Sequence, residues 1–126
     1  MESFKKLKSM KLLLIDDDEW IRDSMTLFFE SEGCRIIALE TAEEGLNVIR
    51  SIRFDIIITD YRLPGMDGLE FIKRLPNSHT KAYKVLVTAY GNQDVFSEAQ
   101  RIGVDECIPK PFTSDNLEAL LQRMIE

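Results

Sequence analysis

Short apolar runs recur along this chain, each too brief for a helix and two of them ending on a carboxylate. Leu12-Leu13-Leu14-Ile15 stops at Asp16, and Phe54 to Thr59 (FDIIIT) stops at Asp60. Near-continuous apolar, β-branched character over so few residues marks strands buried on both faces. Such strands belong to parallel sheets, whose neighbouring strands need a long crossover, usually a helix, between them. That one feature restricts the chain to alternating strands and helices.

The intervening segments supply the helices. From Glu19 to Glu32 the residues Trp20, Ile21, Met25, Phe28 and Phe29 recur at helical spacing, predicting a mostly buried stripe closed by Gly33. Arg35 to Leu39 reads as a second strand. Thr41-Ala42-Glu43-Glu44 is a capping box opening a helix through about Ser51. After Asp60 come a loop, Arg62 to Gly68, and a short helix through Leu75 broken by Pro76. Tyr83 to Thr88 is a fourth strand, Asn92 to about Ile102 a helix ended by Gly103, and Cys107-Ile108 a short fifth strand. Thr113 or Ser114 caps a last helix to Ile125. Right-handed crossovers then predict a doubly wound sheet of five parallel strands in order 2-1-3-4-5, with five helices in three layers.

The chain's 126 residues fit one domain. Residues 1–9, with Lys5, Lys6 and Lys8, read as a leader before a domain spanning 10–126. The apolar run behind the leader is too short for a signal peptide or a membrane span. A net charge of -6 argues against wrapping nucleic acid or coating an anionic membrane. Two cysteines, Cys34 and Cys107, fall on opposite edges of the expected sheet, too far apart to bond. A reducing, cytoplasmic setting follows as the expectation.

In doubly wound sheets ligands sit beyond the carboxyl ends of the strands. The first strand ends in Asp16, Asp17 and Asp18, the third in Asp60, the fourth in Thr88, and the fifth runs into Lys110. Each has a bland reading alone: an acidic helix start with Asp18 as cap, a turn aspartate, a strand terminus, a solvated lysine. Together they converge in one cleft from four segments. Two carboxylates about 5 Å apart repel by roughly 3 kcal/mol at an effective dielectric of about 20. Oxygen-only ligands without a neighbouring His or Cys point to Mg²⁺. Such a site equips a carboxylate to accept a phosphoryl group. His79, in the polar stretch Asn77 to Thr80, reads as a solvated loop residue.

These residues resemble the response-regulator receiver domain of two-component signalling, of which the chemotaxis regulators are one kind. The likeness runs from about Met10 to the C-terminus through LLLIDDD, IIITDYRLPGMDGLEF, LVTAYG and IPKPF. It implies a flavodoxin-like fold and a signalling receiver that catalyses only its own phosphorylation and dephosphorylation. Asp60 would take a phosphoryl group from a histidine kinase phosphohistidine. Asp16, Asp17, Asp60 and the backbone carbonyl of Arg62 would hold Mg²⁺. Thr88 and Lys110 would engage the phosphoryl oxygens, and Lys110-Pro111 resembles the family's cis peptide. The partners implied are a sensor kinase or phosphotransfer protein and a downstream effector protein, with neither nucleic acid nor membrane bound directly. The surface of the helix from Asn92, the strand at Cys107 and the final helix corresponds to the family's output face, and any exposed part of the Glu19–Glu32 helix to its kinase-docking face.

One departure stands out. Three residues before Lys110, where receivers carry Tyr or Phe as a switch partner of the threonine, this chain has Cys107; Tyr90, two residues after Thr88, is the candidate to share that role. Pro64, Gly65 and Gly68 serve loop geometry, Gly68 by allowing close backbone approach. The competing class is a haloacid-dehalogenase-type phosphatase using Asp16, but its usual final acidic pair and cap are missing. A flavodoxin-like electron carrier is disfavoured because the acidic strand end repels an FMN phosphate. A receiver-shaped module working without phosphate is disfavoured by the complete set of site residues. With no effector segment after Glu126, the expectation is a stand-alone receiver or a piece of a longer regulator.

Overall fold

The computed structural model describes residues 2–89 and 93–126. Its strands are β1 (Lys11–Ile15), β2 (Arg35–Leu39), β3 (Ile56–Asp60), β4 (Tyr83–Thr88) and β5 (Glu106–Pro109). They form one sheet in the order β2-β1-β3-β4-β5 with every pairing parallel. The three central strands are almost wholly buried, as their unbroken apolar runs require.

Alternation along each strand divides the core in two. Leu12, Leu14, Ile56, Ile58, Val85 and Val87 join one cluster, with Met25, Phe29, Leu117 and Leu121 from helices. Leu13, Ile15, Ile57 and Leu86 join the other, with Ala42, Phe71, Val95 and Ala99. The first cluster lies under α1 (Glu2–Lys8), α2 (Glu19–Ser31) and α6 (Ser114–Ile125). The second lies under α3 (Ala42–Val48), α4 (Gly68–Lys73) and α5 (Gln93–Arg101).

Local chemistry explains the starts. Asp18 accepts from the N–H groups of Trp20 and Ile21, Thr41 and Glu44 close a reciprocal capping box, and Thr113 does the same with Asn116.

Three expectations are corrected. The described residues hold six α-helices instead of five, because most of the segment read as a leader is α1. A seven-residue helix is too short to persist unaided. It is held by packing: Leu7 is fully buried, and the Lys6 ammonium donates to the Ile125 carbonyl at 2.9 Å. Trp20 is 73% exposed and so leaves the buried stripe. It sits about 140° around the helix from Met25, on the outward side with Leu27. His79 is buried, its Nε2 accepting from the Phe54 N–H at 3.1 Å while Nδ1 faces the Ser78 hydroxyl at 3.0 Å. Burial, then the nearby Arg53 cation, lowers its pKa and keeps the ring neutral. As expected for opposite edges, Cys34 and Cys107 are both unbridged.

Candidate functional site

All strands point the same way, so their carboxyl ends meet at one rim. Asp16 follows β1 directly, Asp60 ends β3, Thr88 ends β4 and Lys110 follows β5. Register places them side by side: Ile15 pairs with Thr59, Asp60 with Val87, and Thr88 with Pro109. A cleft of about 490 Å³ opens there, lined by Asp17, Asp60, Tyr61, Arg62, Thr88, Ala89 and Lys110.

One carboxylate oxygen each of Asp16, Asp17 and Asp60 lies within 4.8 Å of the others. Asp16 and Asp60 are buried and Asp17 is exposed. Lys110 bridges two of the acids, its ammonium 2.8 Å from Asp60 Oδ2 and 3.1 Å from Asp16 Oδ2. The first is an aligned hydrogen bond; Asp16 Oδ2 has no hydrogen-bonded partner, so the second contact is ionic in character. Asp16 Oδ1 accepts from the Asp18 N–H at 2.9 Å. Asp18 itself is spent on capping α2 and stays outside the acidic group.

Burial raises the pKa of Asp60, and the Asp16 charge adds to that, while the hydrogen bond from Lys110 pulls the other way. For Lys110 burial alone lowers the pKa. The hydrogen bond to Asp60 and the ion pair with Asp16 outweigh it and leave the ammonium favoured. The acids are therefore crowded together at a cost, offset by one cation. The donors are all oxygen and one of them faces solvent, a set suited to a hard divalent cation.

Loop geometry supports the acidic centre. The Tyr61 N–H donates to the Val87 carbonyl at 2.7 Å, and the Gly68 N–H to the Tyr61 carbonyl at 2.9 Å. Gly68 packs so closely that a Cβ there would lie 2.2 Å from the Asp60 carbonyl oxygen. Gly65 takes φ +78° beneath Glu43, whose carboxylate accepts from the Met66 N–H at 3.2 Å. Lys110-Pro111 is cis.

Among the residues singled out from sequence, Asp16, Asp17, Asp60, Arg62, Thr88 and Lys110 meet at this rim. Cys107 lies elsewhere, half-buried in β5 beside Phe96 and Val104 in a second cleft of about 340 Å³. Its burial, then Glu106, raises its pKa. Tyr90 falls outside the described residues. Tyr61 and Ala89 line the main cleft and were not anticipated; each adjoins a predicted site residue, which was the available signal. The phosphatase alternative fits less well, because Asp16 is 1% exposed and is not among the residues lining the cleft.

A doubly wound α/β sheet with an acidic, lysine-bridged pocket beside its switch point defines the class. Residues 12–122 match the family model described as the response regulator receiver domain, and the chain belongs to that family. Members accept a phosphoryl group on an aspartate in two-component phosphorelay signalling. The chain is 29% identical over 114 residues to the transcriptional regulatory protein FixJ of Bradyrhizobium diazoefficiens, covering 90% of this chain and 56% of FixJ. It thus spans about half the length of that regulator. It is 28% identical over 115 residues to the sporulation initiation phosphotransferase F of Bacillus subtilis, covering 91% and 93% of the two chains. Its structure superimposes on the chemotaxis response regulator CheY4 of Vibrio cholerae with a TM-score of 0.85 at 27% identity, covering 91% and 98%. Among the described residues no helix is long and apolar enough to cross a membrane.

Proposed function

We propose that Asp60 is the phosphoacceptor and that a phosphohistidine, on a sensor kinase or a phosphotransfer protein, is its donor. A carboxylate oxygen of Asp60 attacks phosphorus, the P–N bond breaks, and its electron pair stays on the imidazole nitrogen, which takes up a proton from solvent. The observation carrying this reading is the Lys110 ammonium, 2.8 Å from Asp60 inside the cleft that Asp60 lines. In the transfer Lys110 follows the negative charge onto a phosphoryl oxygen, and the Thr88 hydroxyl, at the end of β4, donates to another.

Asp16, Asp17, Asp60 and the Arg62 carbonyl are the residues that would hold Mg²⁺. When bound, Mg²⁺ supplies positive charge that screens the carboxylates from one another and from the phosphoryl oxygens. The buried Asp16 and Asp60 set the floor of that site, and the exposed Asp17 completes it from the solvent side.

The outward face of α2, carrying the exposed Trp20 and Leu27, is the assigned donor-docking surface. The output surface is α5, β5 and α6, presented to an effector protein or an attached effector domain. Within it Cys107 stands where the resemblance to receivers implies an aromatic ring, and we assign Cys107 and Tyr90 to share the switch role with Thr88. The receiver unit is assigned to residues 10–126, with α1 docked in front of it.

Incubation with acetyl phosphate or a phosphoramidate and Mg²⁺ should add one phosphoryl group by mass, and Asp60→Asn should abolish it. Labelling that persists in the Asn variant refutes the assignment.

A further inference from the structure

Arg22 stands on α2 at a place that helix stability does not explain. It lies in the first turn, where its own N–H donates to the Asp18 carbonyl at 3.1 Å. A cation there opposes the helix dipole, which favours acids at an N-terminus. Side chains on a helix lean toward its N-terminus, and Arg22 follows that lean back across the β1–α2 turn. Its Nη1 donates to the backbone carbonyl of Asp16 at 3.0 Å.

That contact completes the restraint of Asp16. The Asp16 N–H donates to the Leu39 carbonyl at 3.1 Å, Oδ1 accepts from the Asp18 N–H at 2.9 Å, and Oδ2 lies 3.1 Å from Lys110. The carbonyl is the remaining polar atom of this buried residue, and it belongs to the peptide plane that joins Asp16 to Asp17. Fixing the plane fixes the Asp17 N–Cα bond, so that only the Asp17 φ and χ1 rotations remain to set where its carboxylate lies. Asp17 is exposed, so burial does not hold its carboxylate as it holds those of Asp16 and Asp60. Its approach to Asp16 and Asp60 therefore depends on where the backbone places its Cα.

We infer that Arg22 is a positioning residue for the cation site: by holding the Asp16 carbonyl it aims the Asp17 carboxylate. The inference rests on the proposed metal-binding role of Asp16, Asp17 and Asp60. A guanidinium suits this work because it stays charged at all working pH values and presents donors in a rigid plane.

The two simple views of Arg22 predict opposite signs. As a mere solvated charge near three carboxylates, it repels a cation, so its removal tightens Mg²⁺ binding. As a positioning residue, its removal loosens the site. Mg²⁺ titrated into the full chain by calorimetry separates them, with phosphorylation by acetyl phosphate measured alongside at limiting and at saturating Mg²⁺. Arg22→Gln should raise the Mg²⁺ dissociation constant about tenfold, the scale on which supporting partners of ligands act. Arg22→Lys, which keeps charge and a donor, should recover most of that loss. Labelling should fall more at limiting than at saturating Mg²⁺, and the metal-free chain should still melt in one cooperative transition, a few degrees lower because the buried Asp16 carbonyl loses a donor. An unchanged or tighter constant in Arg22→Gln overturns the inference. So does a collapse of the metal-free melting transition, since Arg22 would then support α2 as a whole. If the parent chain itself binds no Mg²⁺, the reading of the acidic cluster fails, and the inference with it.

Discussion

Replacing Gly68 by alanine tests whether backbone approach at the phosphoacceptor is as tight as the structure requires. The new Cβ would stand 2.2 Å from the Asp60 carbonyl oxygen, 3.0 Å from its carbon and 3.1 Å from Tyr61 Cα. All three are backbone atoms, and hydrogen bonds from Tyr61 to Val87 and from Gly68 to Tyr61 hold this segment on both sides. Moving the oxygen from 2.2 Å even to 3.0 Å therefore displaces β3 or the start of α4. Overpacking of this kind costs about 1–3 kcal/mol. Alanine's helical advantage over glycine returns at most about 0.5–1 kcal/mol, less in a first turn. A net loss of about 1–2 kcal/mol should appear as a drop of about 0.5–1.5 M in the urea midpoint. Labelling by acetyl phosphate should slow as well, because the peptide that moves carries Asp60. Gly45→Ala is the control: its Cβ would meet the Ile15 Cδ1 and Phe71 ring atoms, side-chain tips that shift more easily than backbone. The reasoning is refuted if Gly68→Ala stays within about 0.5 kcal/mol of the parent chain and is labelled at the parent rate, or if Gly45→Ala proves the more damaging.

Two further outcomes follow from parts of the molecule remote from the cleft. His79 has a folded-state pKa below its ordinary value of about 6.5, so its contribution to stability is fully present above that value. It is lost as the pH falls through the depressed folded value, because the unfolded chain takes up the proton first. Urea midpoints between pH 7.5 and 5 should fall more steeply for the parent chain than for His79→Gln, and parallel curves would remove His79 as the cause. Leu7→Ala should destabilise the protein by about 2–4 kcal/mol in urea titrations, since Leu7 is fully buried against the cluster containing Leu121 and Ile125. A loss below about 0.5 kcal/mol would mean that α1 frays from the domain.

Much of the fold is written in local patterns. The Leu12–Ile15 run, the β-branched Ile56–Ile58 and the run from Tyr83 announce buried strands, and Thr41 and Thr113 mark helix starts at the residues where they occur. Trp20 shows the limit of such reading. Its spacing from Met25 and Phe29 is helical, but only the direction from which the sheet arrives decides which side of α2 is buried. His79 shows it from the other side: a polar neighbourhood in sequence says nothing of the Phe54 amide that reaches it across 25 positions.

The chain's sequence by itself determined the alternation of strand and helix, and hence a parallel sheet whose carboxyl ends gather Asp16, Asp17, Asp60, Thr88 and Lys110. Periodicity and capping act between near neighbours, and parallel order then follows because a helical, right-handed crossover joins each strand to the next. Only the tertiary structure decided that α1 docks on α6 through Leu7, that Gly68 lies against the Asp60 carbonyl, that Lys110 spans two acids, and that Arg22 holds the Asp16 carbonyl. Each of those depends on a partner brought close by folding. A residue's hydrophobicity or charge states what it tolerates, and the packing of distant segments determines what it meets.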